Sequence, residues 1–458
     1  MKTNNRNVYF TSLGCSKNLV DSQVMLGQLG ESSLGFGSTT KPEEAGVIII
    51  NTCSFVEAAK QESIDVILEL ADYKKENVGQ CHILVVAGCM SQRYPKELEE
   101  LLPEVDLIIG TGEYHRIVEL LDKSEHEELE QKSFVDTPKY IHDENTPLVN
   151  TSPGHTAWLK VSEGCDRHCT FCIIPTIRGA LRSRQVDSLV RESERLAQSG
   201  VREINLISQD LSSYGKDLAS PNDLHHLLTA LEQVDGIDWI RLFYLYPDDL
   251  TDQVIEVIAN SNKICPYLDM PVQHFSDSIL KRMNRQITGD MIHSKISRLR
   301  QMIPNIVLRT SLIVGFPGES EDDFKKLLEG VEQARFNHLG VFRYSDEEGT
   351  PAFSLEPKVS AEVIEQRYQT IYLKQQEILQ EINQKYLGKR LPVLVEGHHP
   401  ESELLVIGRH PGQAPEIDGQ VIINDLGERQ IEVGDIVSVV ISEVSSYDLV
   451  GGVSPSAE

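Results

Sequence analysis

The chain lacks a long hydrophobic run. Its longest apolar stretches, such as Val47 to Ile50, fall far short of the ~18 residues a membrane helix needs, so a membrane span is not expected. The start, MKTNNRNVYF, has no apolar core of the kind a signal peptide carries and passes directly into a strand pattern. Positive charge is also short: 43 Lys and Arg stand against 70 Asp and Glu, a net charge of −27. Phosphate contacts require basic surface, so this balance argues against a generic nucleic-acid binder. It suits a basic partner, or simply a soluble acidic protein. Cysteine is scarce as well. Eight cysteines in 458 residues make no disulfide framework, and six of them fall into two groups of three, which suits a reducing cytoplasm. No repeat array or low-complexity tract is present.

One of those groups carries the most information. Cys165, Cys169 and Cys172 lie in the run SEGCDRHCTFCIIPTIRG. Three thiolates at a CxxxCxxC spacing can hold three irons of a cubane cluster on one loop, leaving the fourth iron open to a small molecule. A structural zinc knuckle takes four ligands, usually as two separated CxxC pairs. His168 could add a nitrogen, but it lies between the cysteines rather than beyond them. An open iron that binds the amine and carboxylate of S-adenosylmethionine initiates radical chemistry. The run resembles the radical S-adenosylmethionine superfamily, and Phe171, just before the third cysteine, fits the aromatic usual there.

The pattern divides the chain into three parts joined by a connector. Residues 6–122 alternate short β-branched strands (Val8–Thr11, Val47–Asn51, Ile83–Ala87, Leu107–Ile109) with helical stretches, which predicts an open parallel α/β sheet. The acidic, polar stretch 123–150 reads as a linker. Residues 151–387 again alternate, with strands near Ala157–Val161, Glu203–Ile207, Trp239–Leu245, Tyr267–Met270, Val307–Val314 and His338–Arg343. These units predict an incomplete (β/α)6 barrel of the TIM type, followed by a long helix from Ser360 to Tyr386. Residues 388–452, with short strands and turn glycines, predict a small all-β barrel.

A second cysteine group emerges from that strand reading. Cys15, Cys53 and Cys89 each fall at, or just beyond, the C-terminal end of an expected parallel strand. Those ends share one edge of an open sheet, where ligands bind. One cysteine there would read as a buried apolar residue; three at equivalent ends favour a second cluster. Cys81 and Cys265, at the opposite edges, read as structural. The C-terminal ends of the barrel strands bring forward Ser208 and Gln209, Tyr244 to Asp248, Gln273 and His274, the glycine turn Gly315–Gly318, and Tyr344. The expected S-adenosylmethionine contacts are Phe171, Ser208, Gln209, Gly315 and Gly318. Arg178, Arg182 and Arg184 are open between a carboxylate-binding role and ordinary surface ion pairs, and no catalytic side chain is assigned beyond the clusters.

With two such triads and a β-barrel tail, the chain from about residue 6 to residue 452 resembles the radical methylthiotransferases. SLGCSKNLVDS, SEGCDRHCTFCIIPTIRG, YLDMPVQH, SLIVGFPGE, RYSDEEGTPA and APEIDG resemble the branch that modifies an aspartate of small-subunit ribosomal protein twelve. Ser16 and Gln23 depart from that branch's usual proline and acidic residue without removing a ligand. The resemblance implies a TRAM-like tail and two [4Fe-4S] clusters. Cys15, Cys53 and Cys89 would hold the auxiliary cluster, and Cys165, Cys169 and Cys172 the one that exchanges with S-adenosylmethionine. It implies a transferase that adds a methylthio group to the aspartate β-carbon. One S-adenosylmethionine yields the 5′-deoxyadenosyl radical, and another donates the methyl group. A low-potential electron donor is implied too. The rival branch modifies an adenosine of transfer RNA, and a non-catalytic zinc or redox-sensing scaffold is the remaining alternative.

Charge separates the two branches independently. Between Gly388 and Gly452, eleven acidic and four basic residues leave a balance of −7. A tail gripping transfer RNA should be basic, whereas an acidic one attracts a lysine- and arginine-rich ribosomal protein, so no specific transfer RNA binding is expected. The tail is also expected to be separable, its removal leaving both clusters in place.

Overall fold

A computed structural model describes residues 5–126, 128–219, 222–427 and 430–454. The β-branched runs form the expected strands. In the first sheet, β1 (Asn7–Ser12), β2 (Gly37–Ser38), β3 (Val47–Thr52), β4 (Ile83–Gly88), β5 (Leu107–Ile109) and β6 (Ser133–Phe134) are all parallel, in the order β2-β1-β3-β4-β5-β6. β3 and β4 are buried along their whole length, as strands covered by helices on both faces must be. Two short strands escaped the pattern. Gly37–Ser38 is too brief to show alternation, and Ser133–Phe134 lies in the polar stretch expected to be a linker, where it pairs with β5 as the sheet's outer strand.

The central sheet joins β7 (Thr156–Lys160), β10 (Glu203–Ile207), β11 (Trp239–Leu242), β12 (Ile264–Asp269), β13 (Val307–Val314) and β14 (His338–Arg343) in the order β14-β13-β12-β11-β10-β7. All are parallel, and the end strands do not pair, so this is an open barrel of six strands. A hairpin, β8 (Ser162–Glu163) with β9 (Arg182–Ser183), brackets the loop that carries Cys165, Cys169 and Cys172. The helix Ala361–Asn383 packs Ile371, Ile378 and Ile382 into the barrel's apolar layer. No described helix is long and apolar enough to cross a membrane.

The tail closes completely. Strands β15 (Arg390–His399), β16 (Ser402–Arg409), β17 (Val421–Asp425), β18 (Ile436–Val444) and β19 (Leu449–Val453) form a closed barrel ordered β15-β16-β17-β19-β18. The fifth strand was missing from the sequence pattern because its core, LVGGV, reads as a turn.

The tail is not separable in the sense expected. Its loop after β16 fills the end of the central barrel where the strands begin. Arg409 pairs with Glu203, the first residue of β10, and with Glu396 (2.7 Å). Arg241 pairs with the same Glu203 (2.9 Å) and donates to the Pro411 carbonyl. Asp418 accepts from the Tyr267 hydroxyl (2.8 Å) and faces Arg309. Leu394 and Ala414 join Trp158, Trp239 and Tyr267 in one apolar group. Cutting the chain at 388 would strand a buried Glu203–Arg241 pair against water.

Burial works against the Glu203 charge, but Arg409 and Arg241 outweigh it and hold the carboxyl at about 2, below its ordinary 4.5. A depressed carboxyl stabilises the fold above its unfolded value, and that stability is lost as pH falls through the folded one. The melting temperature is therefore expected to fall progressively between pH ~4.5 and ~2. Replacing Glu203→Gln, which leaves two buried guanidinium groups short of their anion, is expected to cost about 3–5 kcal/mol and make that acid slope shallower. Thermal unfolding across a pH series measures both. An unchanged slope in the variant would assign the acid transition to other carboxylates.

Candidate functional site

Three strand ends converge as their positions require. β1, β3 and β4 are neighbours, and Cys15, Cys53 and Cys89 follow them by three, one and one residues. Gly14 takes a left-handed φ of +88°, and a Cβ there would stand 2.9 Å from the Cys53 sulfur, so only glycine lets the first loop close over the second. Cys15 caps the helix Ser16–Glu31, whose positive end therefore faces the triad. Asn18, one turn along, ties the three loops together. Its amide donates to the carbonyls of Leu13 (3.0 Å) and Thr52 (2.8 Å), and its carbonyl receives the Cys89 thiol (3.4 Å). Burial pushes the Cys89 thiol up to about 12, and Cys15 and Cys53 add to the rise, so the three sulfurs feel one another's charge. Cys53 is likewise raised, chiefly by burial.

The second triad sits on a loop fastened at both ends. The Cys165 N–H donates to the Gly179 carbonyl, the Cys172 N–H to Cys169, and the Thr170 N–H to Met283. Phe171 wedges against Ile279, Met283 and Phe316. Burial raises Cys165 to about 11 and Cys172 to about 12. His168 is solvent-exposed, with only its carbonyl held, by Asn284. All six cysteines are free thiols.

Among the described residues, the one group of three ligands within 4.8 Å of one another is Asp223, His225 and His226, on an exposed helix start. Thiolates around one tetrahedral zinc stand about 3.8 Å apart, as Zn–S bonds of about 2.3 Å require. The cysteine triads are wider than that. Three thiols per site, spaced more widely than a single tetrahedral ion requires, fit a multi-iron body.

A buried charged network joins the first triad to the elements that bracket the loop of the second. Arg178, just after the second triad, donates to Asp21 (2.6 Å) and Glu163 (3.2 Å), to the Asn18 side-chain carbonyl, and to the Cys89 sulfur (3.4 Å). Lys160 binds Asp21 and, at 2.8 Å, Glu163; Gln209 donates to the other Glu163 oxygen. Burial works against the Lys160 ammonium, but Asp21 and Glu163 outweigh it and hold it above its ordinary value. Arg178 is thus neither a surface ion pair nor free to meet a ligand. Arg184 is buried too, on Glu192 and Ser188, and Arg182 lies half-buried against backbone carbonyls. This network was not read from sequence; Asn18 and Asp21, three and six residues beyond Cys15, were the signal that could have revealed it.

The other expected contacts are distributed unevenly. Ser208, at the end of β10, is buried with its hydroxyl unpartnered, and the Gln209 carbonyl is also unpartnered. Two orphaned polar atoms beside a cysteine loop fit a polar cofactor. The glycine turn is different. A Cβ on Gly315 would meet Ile364 at 2.3 Å, one on Gly318 would meet the Arg282 guanidinium, and the Gly315 and Phe316 amides are both taken by Glu319. Its tightness serves packing. The following helix begins at Glu321, capped by Ser320. His274 is fully buried, receives the Ser276 N–H, and is pushed down to about 3 by burial, a structural histidine. Cys81 and Cys265 are buried away from both triads.

Comparison with known proteins agrees with this anatomy. Family descriptions match in order: Uncharacterized protein family UPF0004 over residues 7–110, the Radical SAM superfamily over 159–331, and a TRAM domain over 387–453. Among solved structures, the radical S-adenosylmethionine methyltransferase TsrM from Kitasatospora setae superposes with a TM-score of 0.55 at 13% identity, covering 76% of this chain and 77% of that one. The cobalamin-dependent radical enzyme OxsB gives 0.53 over 82% and 56%. At such identities these show the fold alone. The chain is a radical S-adenosylmethionine transferase that adds a second α/β domain and a TRAM barrel to the catalytic barrel. Among curated proteins, ribosomal protein uS12 methylthiotransferases RimO from Geobacter sulfurreducens and Myxococcus xanthus are 49% and 50% identical, covering 97% and 98% of this chain and 98% and 92% of theirs. The chain belongs to the ribosomal protein uS12 methylthiotransferase family.

Proposed function

We propose that this protein adds a methylthio group to the β-carbon of an aspartate in ribosomal protein uS12, in the cytoplasm, using two [4Fe-4S] clusters, S-adenosylmethionine and a low-potential electron donor. The observation that carries the reading is the presence of two three-thiol centres on domains held together by one buried network. Cys165, Cys169 and Cys172 would hold the cluster that engages S-adenosylmethionine, and Cys15, Cys53 and Cys89 the auxiliary one. When bound, such clusters supply an electron for radical formation and a site for the sulfur to be transferred. The chain's own residues do the rest. Asn18 fixes the three auxiliary loops, Arg178 and Lys160 lock the two domains at one separation, and Ser208 and Gln209 offer polar atoms to the cofactor.

The tail's surface supports a basic protein as substrate in preference to transfer RNA. Glu401, Glu403, Glu416, Asp425, Glu432 and Glu443 are exposed, against exposed Lys389 and Arg390. Glu428 and Arg429, which entered the sequence count, lie outside the described residues. Arg409 is spent internally on Glu203 and Glu396. Exposed charges act over ~8–10 Å at physiological salt, so the attraction should weaken as salt rises.

Because truncation would open the barrel, the test reverses charge on the surface. The variant Glu401→Lys, Glu403→Lys, Glu443→Lys is expected to bind purified uS12 about tenfold more weakly at low salt. Its iron content should match the wild type's. Tight, salt-sensitive binding of bulk transfer RNA by the wild type, with none of uS12, would move the assignment to the nucleic-acid branch. Mass spectrometry of uS12 and of transfer RNA from cells lacking the gene reads the modified substrate directly.

A further inference from the structure

Buried cations in this protein are almost all paired. Lys160, Arg178, Arg184, Arg241, Arg367 and Arg409 each face a carboxylate. Among the described residues, two buried cations do not: Lys17 and Arg285, each 6% exposed. Both lie over tyrosines of one short segment. The Lys17 ammonium is 3.0 Å from the centre of the Tyr244 ring, and the Arg285 guanidinium is 4.0 Å from that of Tyr246. The segment follows β11 at the barrel's C-terminal mouth, and Tyr244 holds a left-handed φ of +60°, a conformation a bulky residue adopts only under constraint.

The two cations come from different domains. Arg285 lies two residues beyond Met283, which accepts the Thr170 N–H of the cysteine loop, and Tyr246 is also covered by Arg167 of that loop at 3.8 Å. Lys17 comes from the other domain, two residues beyond Cys15, on a helix whose Val20 packs with Trp158 and Phe243 in the barrel. Its ammonium therefore lies where the first domain meets the barrel. An aromatic face returns about 2 kcal/mol to a desolvated cation, less than the several kcal/mol that burying an ammonium costs. The remaining deficit is what an incoming anion would relieve.

We infer that Lys17 binds the side-chain carboxylate of the target aspartate, which makes it a specificity-determining residue for the reaction. The inference rests on the proposed function, since it takes the substrate to be an aspartate side chain. The carboxylate is bonded to the reacting β-carbon, so one charge-assisted hydrogen bond both selects the residue and positions that carbon between the clusters. An asparagine or a nucleobase offers no such anion.

The test uses the full-length, anaerobically reconstituted protein with purified uS12 and with uS12 whose modified aspartate is replaced by asparagine. The wild type is expected to bind the aspartate form about 10- to 100-fold more tightly, in line with a hydrogen bond between charged groups. This ratio should persist as salt rises, because a buried pair is screened little, unlike attraction to the tail. Lys17→Met should bind both forms alike, at the weaker level, with wild-type iron content; Lys17→Arg should restore part of the preference. Equal binding of the two forms by the wild type, or a preference kept by Lys17→Met, overturns the assignment. Wild-type protein that binds neither form but modifies transfer RNA overturns the function reading, and this assignment with it.

Discussion

Replacing Cys165, Cys169 and Cys172 together by alanine is expected to halve the iron of the reconstituted protein, from about eight atoms to about four, and to abolish cleavage of S-adenosylmethionine. Replacing Cys15, Cys53 and Cys89 should halve the iron equally but spare uncoupled cleavage to 5′-deoxyadenosine. The asymmetry follows from where the triads sit. The first is on a loop of the central barrel, secured by backbone bonds within that barrel, while the second depends on three strand ends of a different sheet. Iron analysis with product chromatography separates the cases. Iron unchanged by the second triple substitution would remove the auxiliary site from the assignment, and a colourless protein that binds only zinc would remove both.

Arg178→Met should be the most damaging single substitution outside the ligands. It leaves Asp21 and Glu163 buried with Lys160 as their shared cation, and it takes a donor from Asn18 and Cys89 together. Breaking a buried ion network by removing one partner costs about 3–5 kcal/mol. Auxiliary iron is expected to be lost first, because Asn18 would no longer be held against Cys89. Thermal unfolding and iron content, compared with Arg178→Lys, measure this. A variant with wild-type stability and a full iron complement would show that Lys160 alone suffices to hold the domains.

Much of this anatomy could be read before any coordinates. Strand positions came from β-branched runs, because burial on both faces leaves only one kind of residue that fits. The auxiliary triad followed from placing cysteines at strand ends, since parallel strands put those ends on one edge. What could not be read depends on contacts distant in sequence. Arg178 and Asp21 are far apart along the chain, and neither carries a local signature. The same holds for Arg409 and Glu203, which turned a supposedly detachable tail into part of the central barrel's interior. Gly315 and Gly318 are illegible for the opposite reason: a glycine-rich turn looks alike in sequence whether it makes room for a ligand or for a neighbouring side chain, and Ile364 and Arg282 stand where a Cβ would go.

The filled lower end of the central barrel also governs traffic. With Pro411, Ala414 and Asp418 seated against Arg241, Tyr267 and Arg309, the tail occupies the end where the strands begin. What binds in the barrel is left the opposite mouth, where the loop of Cys165, Cys169 and Cys172 follows the first strand, so the tail's contribution to binding there is to keep the other end shut.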